Sequence, residues 1–197
     1  MTSQQLYADP LAALNERIST PALQLGEPGP TAEQLDRLLS AAVRVPDHGK
    51  LVPWRLLLVR DAARAKLGEA LAKLHAEVDP EVSPSKLEKD RARLAAAPLT
   101  IVVVAIVDEH NKKVPVQEQI LSAGCVAYSL LIGAQALGLS GQWLTGWAAY
   151  EPKARALYGL KDNERIVGFI HIGTPREAAP ERTRPLLGDV VSEWREK

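Results

Sequence analysis

Apolar residues recur along this chain at two different periods, and the switches between them mark out helices and strands. Leu11, Leu14 and Ile18 share one side of a helix expected over residues 9–18. Residues 21–30 read as an extended connection, closed by Gly26, Pro28, Gly29 and Pro30. Thr31 and Gln34 have the spacing of a capping box, and Leu35, Leu38, Leu39, Ala42 and Val43 continue on one face, so a helix is expected over 32–44. It should stop at Val45-Pro46, because proline disfavours helical geometry in the residue before it. After the loop 46–54 come a strand over 55–60 and a helix over 62–77 with Leu67, Ala70, Leu71 and Leu74 inward. A Pro-rich acidic loop, 79–84, leads into a charged helix over 85–96.

The run LTIVVVAIV at 99–107 is almost wholly β-branched, the pattern of a strand buried on both faces. Residues 119–138 should form a helix that is apolar or small all round, and so buried in the domain or in a subunit interface. Its small residues Ala123, Gly124, Ala127, Ser129, Gly133 and Ala134 would admit a second helix closely, which points to dimerisation. A short strand at 140–144, a short helix at 152–157 and a core strand at 165–172 complete the chain. This mixed order predicts an α+β sandwich and lacks the regular βαβ alternation of a Rossmann domain.

At 197 residues the chain fits one domain with a real core. Lys plus Arg equals Asp plus Glu, 24 against 24, so no overall charge points to nucleic acid or membrane. The start, MTSQQLYADP, has no basic segment followed by an apolar run, so no signal peptide is expected. Residues 120–139 are interrupted by Ser122, Gly124, Ser129, Gly133, Gln135 and Gly138, which argues against a membrane span. The lone cysteine, Cys125, excludes an internal disulfide and suits a reducing, cytoplasmic location; in an apolar helix it is expected to be buried and inert. His75, His110 and His171 show no ligand spacing with Asp, Glu or Cys, so no metal site is expected.

Three segments carry candidate chemistry. Arg17-Ile-Ser19 and Arg44 stand at helix ends, where an arginine fork can match phosphate oxygens or simply complement the helix dipole. The loop Pro46-Asp47-His48-Gly49-Lys50 offers donors to a planar heterocycle or an anion, or is an ordinary surface turn. Gly141-Gln-Trp143-Leu-Thr145-Gly146-Trp147 suits a planar ligand near a strand end, or packs its tryptophans in the core.

Taken together, these segments resemble the nitroreductases, in particular a short subgroup with the patterns R-x-S, R-x-P-D-H and G-x-W-x-[ST]-G. Here they are Arg17-Ile-Ser19, Arg44-Val-Pro-Asp-His48 and Gly141-Gln-Trp-Leu-Thr-Gly146. Similar pieces are Pro53-Trp54, Lys113-Val-Pro115, Ser122-Ala-Gly124, and Ile166-Val-Gly-Phe169 leading to Gly173-Thr-Pro175, so the resemblance runs in order from about Leu11 to Pro185. It implies a mixed, mainly antiparallel sheet flanked by helices, in an intertwined homodimer with FMN at the interface. It also implies a single domain over 1–197, with a tail at 1–10 and a C-terminal extension at 174–197 packed on the partner.

By the same resemblance Arg17 and Ser19 hold the phosphate and ribityl end, and Arg44 and His48 bind the flavin, His48 from the partner subunit. Trp143, Leu144 and Thr145 line the isoalloxazine edge, and Arg184, in Arg182-Thr-Arg184-Pro185, belongs to a basic phosphate clamp. Ile18 stands where many members carry a second arginine. The implied activity is NAD(P)H-driven reduction of nitroaromatic, quinone-like or other electron-poor acceptors by a ping-pong mechanism. The flavin N5 carries the chemistry and no protein side chain is catalytic; His48 and Arg17 are the candidates to steady the reduced ring. Two other readings stand beside it: a flavin-binding sensor or store without turnover, and a structural helical dimer that has lost the cofactor.

Overall fold

The computed structural model describes residues 10–196. The expected tail, 1–10, lies outside this range apart from Pro10. The sheet is built around β5 (Glu164–Pro175), the longest strand. Along one side it pairs with β3 (Leu99–Ile106), which in turn pairs with β2 (Trp54–Arg60). It also pairs with β4 (Ser140–Leu144) over residues 169–173 and with β1 (Leu25–Gly26) over residues 174–175. All of these pairings are antiparallel. The last strand was expected only over 165–172; β1 extends it to Pro175 by pairing with Thr174 and Pro175.

β3 is buried along nearly its whole length because both sheet faces are covered. One face, with Ile101, Val103, Ala105 and Ile170, packs against α2 (Ala32–Ala42) and α5 (Val116–Ala136). The other, with Val102, Val104 and Phe169, lies under α3 (Ala62–Val78), α4 (Pro84–Ala96) and the short α6 (Trp147–Tyr150). The capping box of α2 is complete: Gln34 N donates to Thr31 Oγ1 at 3.1 Å and Thr31 N to Gln34 Oε1 at 2.9 Å. The N-terminal helix α1 (Pro10–Asn15) is shorter than expected, so residues 17–20 run free of it and Thr20 N reaches Gly141 O of β4.

Helix α5 corrects the expected burial of Cys125. Its small residues serve contacts within the chain: Leu38 of α2 lies over Gly133, the edge of Trp143 faces Gly124, and Ser122 Oγ donates to Pro46 O at 2.9 Å. Cys125 is exposed rather than buried, on an outward stripe with Leu121 and Tyr128. A helix apolar on every side gives no clue from composition as to which side turns outward.

His171 is wholly buried beside Thr100, its Nδ1 2.8 Å from Thr100 Oγ1. Burial, reinforced by the positive charge of Arg93, lowers its pKa to about 4. Below the ordinary value of 6.5 the unfolded chain gains a proton that the folded one refuses until about pH 4. Stability is therefore expected to fall by up to about 3 kcal/mol across that window. Urea midpoints measured at pH 7 and pH 4.5 should show the drop, and a His171→Asn variant should lack most of it.

Candidate functional site

Residues 17–23 follow the outer edge of β4, and a cavity flanks them on each side. The first, about 220 Å³, is lined by Glu16, Arg17, Ile18, Leu131, Gln135, Leu139, Ser140 and Gly141. Here three of the expected site residues meet. Arg17 Nη1 donates to Ser19 Oγ at 3.2 Å, which leaves the serine O–H free to donate, and Arg184 Nη2 donates to Arg17 O at 3.1 Å. Arg17 has no carboxylate within ion-pair distance among the described residues, whereas Arg184 is 3.3 Å from Glu181. Two guanidiniums and a hydroxyl next to one another, with Arg17 lining the cavity, suit an anion with several acceptor oxygens.

The second cavity, about 230 Å³, is lined by Pro21, Ala22, Leu23, Lys89, Arg93, Gln142 and Leu144. Alternation along β4 directs Gln142 and Leu144 here and Gly141 and Trp143 to the opposite face. Gln142 Oε1 accepts from Ala22 N at 2.7 Å and fixes the segment against the strand. Arg93 of α4 donates from Nη1 to Thr145 O at 3.2 Å. Gly146 follows with φ 124° and ψ −174°, a conformation open essentially to glycine alone, and a Cβ there would lie 2.9 Å from Arg93 Nη1. The strand thus ends in a turn against which the Arg93 guanidinium is packed.

The tryptophans take the core reading. Trp143 Nε1 donates to Val167 O at 3.3 Å, at a β-bulge where Val103 pairs with Gly168 and Val104 with Ile166. A Cβ on Gly168 would come within 2.0 Å of that Nε1, so the Ile166-Val-Gly-Phe169 pattern provides the indole's seat. Trp147 Nε1 donates to Asp90 Oδ1 at 3.0 Å. The Trp143 indole is thus seated against β5, while Leu144 presents an apolar side chain to the second cavity.

Arg44 and His48 are not brought to this place. Arg44 follows α2, with no hydrogen-bond partner for its guanidinium among the described residues, and is exposed. His48 Nδ1 is 2.7 Å from Glu118 Oε2 at the start of α5. Asp47 holds their loop, accepting from Leu51 N at 3.1 Å and Val52 N at 2.9 Å, and so supports positive φ at Lys50 (54°) and Val52 (49°). Arg17, by contrast, adjoins Gln135 at the other end of α5. Glu118 and Gln135 are about 25 Å apart at 1.5 Å per helical residue.

Lys89 and Arg93 were missed by sequence reasoning. Their spacing of four places both on one side of α4, but only the tertiary fold shows that this side meets β4. Within one chain the cation bonded to the Thr145 carbonyl is Arg93, and Lys89 lines the same cavity. A roomier cleft, about 480 Å³, lies elsewhere beside Tyr150, but its arginines are engaged, Arg155 with Glu164 O and Lys161 O and Arg165 with Glu109.

The model of the nitroreductase family matches residues 25–174, which takes in β1 to β5. The chain belongs to the nitroreductase family. Among nitroreductase relatives, a provisionally named NAD(P)H nitroreductase of Haemophilus influenzae is 38% identical over 176 residues, 89% of this chain and 94% of its own. A nitroreductase-like protein from Bacillus cereus has the same fold, with a TM-score of 0.78 at 22% identity, covering 93% of this chain and 95% of that one. A Bacteroides fragilis nitroreductase solved with bound FMN superposes with a TM-score of 0.69 at 17% identity, over 94% and 98% of the two chains. At such identities the structural likeness is one of fold, and the nitroreductase sandwich is the α+β fold expected from the sequence.

Proposed function

We propose that this nitroreductase-family chain binds FMN along the outer edge of β4 and uses NAD(P)H to reduce electron-poor acceptors such as nitroaromatics and quinones. The observation that carries the reading is the pairing of an anion-binding cluster at one end of β4 with a glycine turn beside Lys89 and Arg93 at the other. From Gly141 to Gly146 the backbone runs about 17 Å, close to the length of FMN. The donors suit the groups: Arg17, Ser19 and Arg184 for a phosphate, the apolar Leu144 and the glycine turn for a flat ring, Lys89 and Arg93 for its acceptor edge. The Haemophilus influenzae relative bears an NAD(P)H nitroreductase name, and the Bacteroides fragilis neighbour holds FMN.

Bound FMN supplies the two-electron carrier, so no protein nucleophile or dedicated acid is needed. The chain's own residues bind and orient. The phosphate is fixed by Arg17, Ser19 and Arg184, the Thr145 carbonyl is held by Arg93, and Leu144 keeps water from one wall. A single site that NAD(P)H and acceptor occupy in turn gives ping-pong kinetics.

Each cavity alone is smaller than an ordinary cofactor site, and His48, bonded to Glu118, lies farther from Arg17 than one FMN reaches. Both facts are met if a second copy contributes Arg44 and His48 to each site, in a homodimer. The surfaces that would join are apolar: the Leu121–Tyr128 stripe of α5, and a C-terminal arm with Leu186, Leu187, Val190, Val191 and Trp194 each at least 63% exposed. We read 1–197 as one domain whose extension, 174–197, packs on that copy. Helix α5 is long and apolar enough to cross a membrane, but its inner face is built into the core, and with the lone Cys125 we place the protein in the cytoplasm.

The test is a visible spectrum of the purified protein before and after anaerobic NADH or NADPH. Flavin bands that bleach with one nucleotide support the reductase and identify the donor. Bands that stay oxidised support a flavin sensor or store, and no flavin uptake at all ends the flavoprotein reading. Light scattering should give twice the chain's 21.4 kDa.

A further inference from the structure

Behind the Thr145–Trp147 turn lies a polar cluster that none of the motifs includes. Asp90 of α4, 8% exposed in its side chain, accepts from two sides: His75 Nδ1 of α3 is 2.6 Å from Oδ2, and Trp147 Nε1 donates to Oδ1 at 3.0 Å. The His75 and Trp147 rings also stack, with centroids 4.2 Å apart. An apolar residue at position 90 would pack α4 against α3 and α6 without desolvating a carboxylate. A carboxylate with one donor on each oxygen fixes direction as well as contact. Three residues further along α4, Arg93 holds Thr145 O. Asp90 and Arg93 therefore grip the turn on both sides of Gly146, whose φ of 124° is the conformation that needs holding.

We propose that Asp90 and His75 are positioning residues for the flavin-facing turn, which they hold through the Trp147 indole while Arg93 holds it through the Thr145 carbonyl. The role in cofactor binding rests on the flavin reading above; the grip on the turn does not. The cluster touches neither cavity and contributes no reacting group.

The test uses full-length Trp147→Phe, Asp90→Ala and Asp90→Asn. Trp147→Phe keeps a ring against His75 and removes only the indole donor. Asp90→Asn keeps an acceptor for that donor. Hydrogen exchange of residues 144–150 in the flavin-free protein reads the grip directly, with β3 as the internal control. Trp147→Phe and Asp90→Ala should speed exchange of the turn about tenfold over any change in β3, the effect of one unmet buried polar group, and weaken FMN binding by a similar factor. Asp90→Asn should stay within about threefold of the wild type on both measures.

Turn exchange that rises no more than that of β3 makes the cluster ordinary core and overturns the proposal. Faster turn exchange with unchanged FMN affinity in a protein that binds FMN overturns it too. A wild type that takes up no FMN removes the flavin reading, and the exchange data then decide the grip alone. Should Asp90→Ala fail to fold, Trp147→Phe and Asp90→Asn carry the same comparison.

Discussion

An Arg17→Ala variant is expected to bind FMN roughly 10- to 100-fold more weakly than the wild type, while its affinity for riboflavin stays within about twofold. Riboflavin lacks only the phosphate, so the contrast isolates the group that Arg17 is proposed to hold. The range follows from losing one or two charge-assisted hydrogen bonds, about 1.5–3 kcal/mol in total. Arg17 is placed for this because, among the described residues, its side chain bonds only to Ser19 Oγ and no carboxylate neutralises it. Arg184 should matter less, since it is nearly half exposed and already near Glu181. Its bond to the Arg17 carbonyl survives the substitution, which is why binding is weakened rather than abolished. Quenching of flavin fluorescence by the flavin-free protein measures both affinities. Equal losses for the two ligands would assign Arg17 to the fold, and no loss for either would remove it from the site.

Much of this architecture was legible in the chain because its causes are local. The capping box at Thr31 and Gln34 forms both of its hydrogen bonds, and the β-branched run at 99–107 becomes a strand covered on both faces. What was illegible depends on distant partners. Asp90 reads as one more charge on a charged helix until Trp147, 57 residues away, is found on its oxygen. Gly168 reads as a flaw in a strand until the Trp143 indole is seen against it. The candidate site divides in the same way. Arg17, Ser19 and Arg184 were identified as residues and the fold gathers them, but a motif cannot say that His48 sits at the other end of α5. Nor can it rank Arg93 above Arg17 as the cation nearest Thr145, because that depends on how α4 crosses the sheet.

The largest expected loss of stability lies away from the proposed site, at the start of β5. Glu164 is 2% exposed in its side chain and receives Arg55 Nε at 2.7 Å, Arg55 Nη2 at 2.8 Å and Lys161 N at 2.9 Å. Glu164→Ala leaves the Arg55 guanidinium without its counter-charge and frees the 159–163 turn. Breaking such a pair costs about 3–5 kcal/mol, and because Arg55 is 32% exposed we expect the lower end, about 3 kcal/mol, or a fall in Tm of roughly 6–12 °C. The pH dependence identifies the cause. Hydrogen bonds from Arg55 hold the Glu164 pKa at about 2, below its ordinary 4.5, so the folded state binds fewer protons than the unfolded one between those values. The contribution is complete above pH 4.5 and is lost as pH falls toward 2. Glu164→Gln keeps an acceptor for Lys161 N but cannot ionise, so its deficit against the wild type should be constant from pH 7 to 5 and shrink below pH 4.5. His171 titrates in both proteins and cancels from the difference. Urea midpoints of the pair between pH 7 and pH 3 make the comparison, and a deficit that stays constant down to pH 3 would mean that packing, not charge, ties β5 to β2.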